Sequence, residues 1–248
     1  FIGALYFYPY SAMQLPSGVL ADSVGPRRLF TAGSVVAGIG SLLFALAPSV
    51  GWLLAGRALV GLGVAVAFVS VLKLISSWYS EREFGTWVGV LMLLCNLGAV
   101  LAAYPLAWVT QFVSWRDVFI ATGGLSLAIA LCIWLWVHDD PRDAGLPSMH
   151  SFEGKGEEAG AHAGWWDGLA KVAANRHTWP GFFMHLGMIG SYLTFSGLWA
   201  VPYLTEGLGL TRASATLHVT AMILGFAFSA FAVGAISDRM GRRLPLLR

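Results

Sequence analysis

Seven apolar runs, most of them about twenty residues long, divide this chain and leave it few ways to fold. A helix rises ~1.5 Å per residue, so such a run can cross a hydrocarbon core of ~30 Å. The runs lie at roughly 1–21, 29–48, 52–76, 85–109, 118–137, 180–204 and 213–236. Of 248 residues, 57% are hydrophobic and only 11% are charged. A soluble domain carries about 25% charge, so most of this chain cannot face water. The fold class is an all-α, polytopic membrane protein. A net charge of +2 is too small to imply a nucleic-acid partner. Cys95 and Cys132 both lie inside apolar runs without metal-ligand spacing, so no disulfide, metal centre or cofactor is expected. Nucleotide loops and hydrolase motifs are absent too, which argues against an enzyme.

One polar stretch recurs. Gly18-Val19-Leu20-Ala21-Asp22-Ser23-Val24-Gly25-Pro26-Arg27-Arg28 joins the first two runs and reads as their turn. Gly234-Ala235-Ile236-Ser237-Asp238-Arg239-Met240-Gly241-Arg242-Arg243 ends the seventh. In both copies Gly is followed by Asp at +4, Gly at +7 and paired arginines, and the two starts lie 216 residues apart. Matched polar chemistry at that separation points to two similar halves. Gly18 is expected to let a neighbouring helix approach closely. Asp22 can accept hydrogen bonds from a helix N-terminus and pair with a nearby base. Gly25 suits a tight turn at positive φ. Arg27 and Arg28 fall at headgroup level, within reach of anionic lipid or a facing carboxylate.

Residues 1–137 read as a first helical bundle, 138–178 as a central segment and 179–248 as the start of a second bundle. The central segment has no run of spanning length, and its acidic part reads equally well as a disordered linker. Its end places Trp165, Trp166, Leu169 and Val172 near one helical face, which suits a helix lying at the membrane surface. With the motif loops and central segment on one side, that side holds twelve of the fifteen Lys and Arg residues. Arg116 and Arg212 fall on the other side, and Arg57 lies within a run. The positive-inside rule makes the motif side cytoplasmic, with an inner membrane as the expected location. By the symmetry of the repeat, one span is expected ahead of Phe1, so that the chain would cover helices two to eight of a twelve-helix plan. The start at Phe1, apolar and without a basic leader or initiator Met, agrees with that expectation.

These features resemble the major facilitator superfamily of secondary transporters. Gly18 to Arg28 is similar to its loop between helices two and three, and Gly234 to Arg243 to its loop between helices eight and nine. Arg57 with Gly61 and Gly63 resembles the Arg-x-x-x-Gly-x-Gly pattern of helix four, and Trp115-Arg116 before Phe119 resembles the opening of helix six. Lys73, Trp78-Tyr79, Glu81-Arg82-Glu83 and Asp140-Pro141 leading to Gly145-Leu146-Pro147 resemble the organic-anion and organophosphate branches. In the drug/proton antiporter branch helix five carries a Gly-Pro-rich motif. Gly89 and Gly98 keep its spacing, but Ala102 and Ala103 replace the Gly-Pro. The resemblance implies two bundles working by alternating access on a solute held near the midplane. That solute would be a small organic anion, driven by protons or by exchange. The alternatives are a proton-coupled exporter of hydrophobic compounds and a truncated, non-transporting scaffold or partner subunit. It also implies that Gly18, Asp22, Gly25, Arg27 and Arg28, with Gly234, Asp238, Gly241, Arg242 and Arg243, latch one conformational state. The plainer alternative is a topology anchor made by positive charge, and normal insertion with unchanged transport in Asp22→Asn would favour it.

Several residues inside the runs are candidates for solute binding or coupling. A charge at the centre of a span costs ~2.5–3.5 kcal/mol on insertion scales. Arg57 lies about five residues into its helix, where snorkelling lowers that cost. It can bind an anion bidentately or pair with a proton-carrying acid, or it can serve as an interfacial anchor. No Asp or Glu lies deep in any run, so His185 and His218 are the candidates for a coupling proton, with a backbone hydrogen bond as the alternative. Tyr192, Trp199 and Tyr203 share a helix with His185 and line the cavity by resemblance. Gln14 and Asn96 are mid-run polar groups that can contact solute or hydrogen-bond between helices. The glycines of the second to fourth runs read as packing surfaces.

Overall fold

The computed structural model describes residues 5–146 and 165–240, which are helical nearly throughout, with no strand among them. The first six helices are α1 (Phe7–Val24), α2 (Pro26–Ala45), α3 (Val50–Ala65), α4 (Ala67–Trp78), α5 (Phe84–Val109) and α6 (Trp115–Trp136). Then come α7 (Trp165–Ala174), α8 (Thr178–Thr194) and α9 (Arg212–Met240). Helices α3 and α4 are the two parts of one 29-residue span, broken at Val66. Helix α8 runs on through two π-helical turns, Phe195–Trp199 and Tyr203–Gly207, on either side of Ala200–Pro202. Pro202 has no N–H to give, which disturbs the regular ladder there.

Among the described residues, five helical stretches are long and apolar enough to cross a bilayer: α2, α3–α4, α5, α6 and α9. The two other expected spans fall outside that group. Helix α1 has 18 residues but is too polar, with Gln14, Asp22, three serines and two prolines, and α8 has 17 before its first π turn. The fifth expected run starts earlier than anticipated for its own reason. Ser114 and Asp117 form a capping box, so α6 begins at Trp115.

The interior is made of small residues. The buried hydrophobics are mostly alanines, and the largest fully buried side chains are Ser17 and Ser70. Trp52, Trp108, Phe112, Trp134 and Trp136 are exposed. That inversion is what a lipid-facing bundle requires, because lipid tails give large side chains no reason to turn inward.

Glycines set the crossings. A Cβ on Gly40 would lie 2.9 Å from the Gly56 carbonyl, and one on Gly33 would lie 2.6 Å from that of Gly63. Helices α2 and α3 therefore touch backbone to backbone at two levels. Gly38 and Gly123 do the same for α2 and α6, where a Cβ on either would be 3.1 Å from the other's carbonyl. Hydroxyls tighten that second pair: Ser126 Oγ donates to Ser34 O at 2.8 Å, and Ser41 Oγ donates to Phe119 O at 3.0 Å. Helix α2 is thus clamped between α3 and α6, while α1 lies against α3 and α5 pairs with α9.

Candidate functional site

The polar chemistry gathers at the helix ends where the motif lies. The motif is mostly helix, not loop. Helix α1 continues through Asp22 to Val24, and only Gly25 turns the chain, at φ 91°. Pro26 then opens α2, where its fixed φ suits the first helical position. The second copy is helical as far as Met240, and Gly241, Arg242 and Arg243 lie outside the described residues.

In the first copy, Asp22 Oδ1 accepts from Lys73 Nζ of α4 at 2.6 Å. The pair is open to solvent, with the side chains 66% and 45% exposed respectively. Among the described residues nothing lies within 4 Å of a Cβ built on Gly18, so no helix of theirs makes the expected close approach there. Gly18 instead borders an open cleft of about 280 Å³ whose other walls include Val69, Leu72 and Phe84. Arg28 is exposed. Arg27 turns toward α6: its guanidinium lies 4.9 Å from the centre of the Trp134 ring, and Nη2 donates to Trp134 O. Its Nε is buried without a hydrogen-bond partner among the described residues.

In the second copy, Asp238 reaches across to the first turn of α5. Oδ1 accepts from Gly85 N at 3.2 Å, and Oδ2 from Thr86 N at 2.5 Å and Thr86 Oγ1 at 2.7 Å. These are orphan donors of a helix start, and the positive end of the helix favours the carboxylate. Gly234, the equivalent of Gly18, lies directly against the Gly85 carbonyl, and a Cβ there would be 3.0 Å from Gly85 C. The two roles expected of one aspartate are therefore divided between the copies. Asp22 pairs with a base, and Asp238 caps a helix. Sequence reasoning missed Gly85 and Thr86, although their place just after the charged Glu81-Arg82-Glu83 turn marks a helix start. It missed Asp139 as well, which accepts from Arg27 N at 2.6 Å.

The candidates inside the spans form separate groups. Arg57 is half-buried in the second turn of α3, near the end of the bundle away from the motif rather than at its middle. Its guanidinium lies 5.6 Å from the Tyr6 ring centre and 5.9 Å from that of Phe44, with no acidic partner among the described residues. Asn96, midway along α5, donates to Met92 O at 2.8 Å and meets Tyr192 Oη at a long 3.4 Å. Tyr192 stacks on Phe226 of α9 at 4.4 Å, so this group joins α5, α8 and α9. Gln14 is half-buried on α1. His185 is exposed, and Trp199, in the first π turn, is 63% exposed. His218 Nδ1 lies 2.7 Å from Ser214 O, a carbonyl that can only accept, so Nδ1 carries the proton.

Comparison with known proteins adds a second line. A family model described as "Major Facilitator Superfamily" matches residues 1–248. The probable hexose phosphate transport protein of Chlamydia trachomatis is 22% identical over 262 residues, covering 99% of this chain and 57% of that protein. The probable sulfoacetate transporter of Cupriavidus necator is 24% identical over 251 residues, covering 98% and 56%. The chain thus spans a little over half the length of the curated relatives it matches. A crystal structure of a bacterial homologue of the human lysosomal transporter Spinster, inward-facing and unoccupied, matches with a TM-score of 0.54 at 21% identity, covering 96% of this chain and 53% of that one. At that identity the likeness speaks to fold alone.

Proposed function

The chain belongs to the major facilitator superfamily, and from that membership we propose that it serves secondary transport of a small organic anion by alternating access. Arg57 carries the reading. It is a half-buried guanidinium in a span, oriented by two aromatic rings and without an acidic partner among the described residues. Its N–H donors are available to a ligand, and a carboxylate, sulfonate or phosphate accepts them in pairs. The relatives named for hexose phosphate and sulfoacetate are named for anionic solutes. The moving contact in this reading is α5 against α9. When the motif end opens, the N–H groups of Gly85 and Thr86 exchange the Asp238 carboxylate for water.

The test is uptake into reconstituted vesicles of a panel of labelled anions: sulfoacetate, a hexose phosphate and a hexonate. Arg57→Ala should lower uptake of the transported anion by about 10- to 100-fold, the worth of a hydrogen bond to a charged group. Arg57→Lys, which keeps the charge but not the fork, should fall between. Uptake of none of the panel, or equal uptake by wild type and Arg57→Ala, rejects the anion reading.

A further inference from the structure

Helices α2 and α6 cap each other. At the start of α2, the Arg27 N–H has no intrahelical partner, and Asp139 Oδ1, three residues past the end of α6, accepts it at 2.6 Å. At the end of α6 the last carbonyls are equally unpaired, and Trp134 O accepts from Arg27 Nη2. A carboxylate thus sits on the positive end of α2 and a guanidinium on the negative end of α6, each in the favourable sense. The same short segment holds a third helix, because Trp78 Nε1, at the end of α4, donates to His138 O at 3.0 Å. Asp139 also lies over the turn itself: a Cβ on Gly25 would be 2.8 Å from Asp139 Oδ2.

We propose that His138-Asp139 is a clasp that makes the motif ends of α2, α4 and α6 move as one body, with Asp139 as the positioning residue for the Gly25 turn. Asp22 and Lys73 then stay in register because α4 and the Gly25 turn that follows α1 are both held by the same segment, and opening at this end falls on the α5–α9 contact. Only that last consequence rests on the transport reading.

The experiment measures the distance between spin labels on Ala32 of α2 and Ala144, both exposed, in lipid vesicles. Cys95→Ser and Cys132→Ser form the background. Wild type should give one narrow distribution. Asp139→Ala should add a longer, broader population, about fivefold enriched for the loss of one cap. Asp139→Asn keeps an acceptor oxygen and should restore the narrow distribution, which general damage to the fold would not do. Turnover should fall in Asp139→Ala with KM unchanged. An unaltered distribution in inserted Asp139→Ala with native near-UV dichroism overturns the clasp. Should that variant fail to insert, Trp78→Phe, which deletes only the indole N–H, must broaden the same pair or the clasp is rejected. Broadening in a chain that moves no solute keeps the clasp and overturns the transport reading; transport without broadening does the reverse.

Discussion

The two copies of one polar motif hold different things. In the first, Asp22 reaches the side chain of Lys73 on α4, in the open, and Gly18 borders an open cleft. In the second, Asp238 reaches backbone N–H groups of α5, half-buried, and Gly234 is pressed against Gly85. The residue types are the same and the spacing is the same. What differs is whether, among the described residues, a helix lies alongside. A glycine permits close approach, and an aspartate permits capping, but a motif cannot supply the helix that uses them. Each copy is thus a socket, and only the second is filled among the described residues.

The widest separation between the copies is expected from their glycines. Gly234→Val has to push α5 and α9 apart against backbone atoms, and overpacking of that kind costs ~1–3 kcal/mol or more. Gly18→Val meets open space and should change stability by less than about 0.5 kcal/mol, since valine also gains helix propensity over glycine. Reversible unfolding in detergent checks both. Equal destabilisation by the two substitutions would erase the contrast.

Asp238→Asn comes next. The amide keeps one acceptor but loses the charge that faces the α5 start and turns a donor toward other donors. We expect a loss of ~1–2 kcal/mol, about 5- to 30-fold in the closed population at this end. Cross-linking of cysteines placed on the facing ends of α5 and α9 reads that population. Thr86→Val removes one of the three donors to Asp238 and should cost ~1 kcal/mol in the same assay. An Asp238→Asn protein that cross-links like wild type would mean the carboxylate is not what holds these ends together.

How much of this was legible in the residues follows from the same contrast. The spans could be read because an apolar run of membrane length has few alternatives. The Gly25 turn could be read because Pro26 and positive φ leave little choice. The glycines of α2 and α3 were legible as packing surfaces, since small residues recur along both helices. The partners of Asp22 and Asp238 were not. Lys73 is 51 positions from Asp22 and Thr86 is 152 from Asp238, and only the packing of α4 and α5 decides which is near. The helical state of Asp22 to Val24 and of Ser237 to Met240 was missed because a Gly-Asp-Gly-Arg stretch has turn composition, yet the flanking apolar residues keep the helix going. Arg57 was legible as an unusual charge. Its place between Tyr6 and Phe44 depends on how α1 and α2 lean on α3.

The smallest effect belongs to the first copy, and it bears most directly on the contrast. The Asp22–Lys73 pair is mostly exposed, so its coupling should be ~0.2–1 kcal/mol and should shrink as salt is raised. A double-mutant cycle with Asp22→Asn and Lys73→Met measures it through thermal unfolding. If the pair is all that Asp22 does, the two single variants should transport equally well, because each removes the same weak bond. A much deeper transport loss in Asp22→Asn than in Lys73→Met, at unchanged coupling, would show that the carboxylate acts on a group other than Lys73. The first socket would then be filled during function as the second is in this structure.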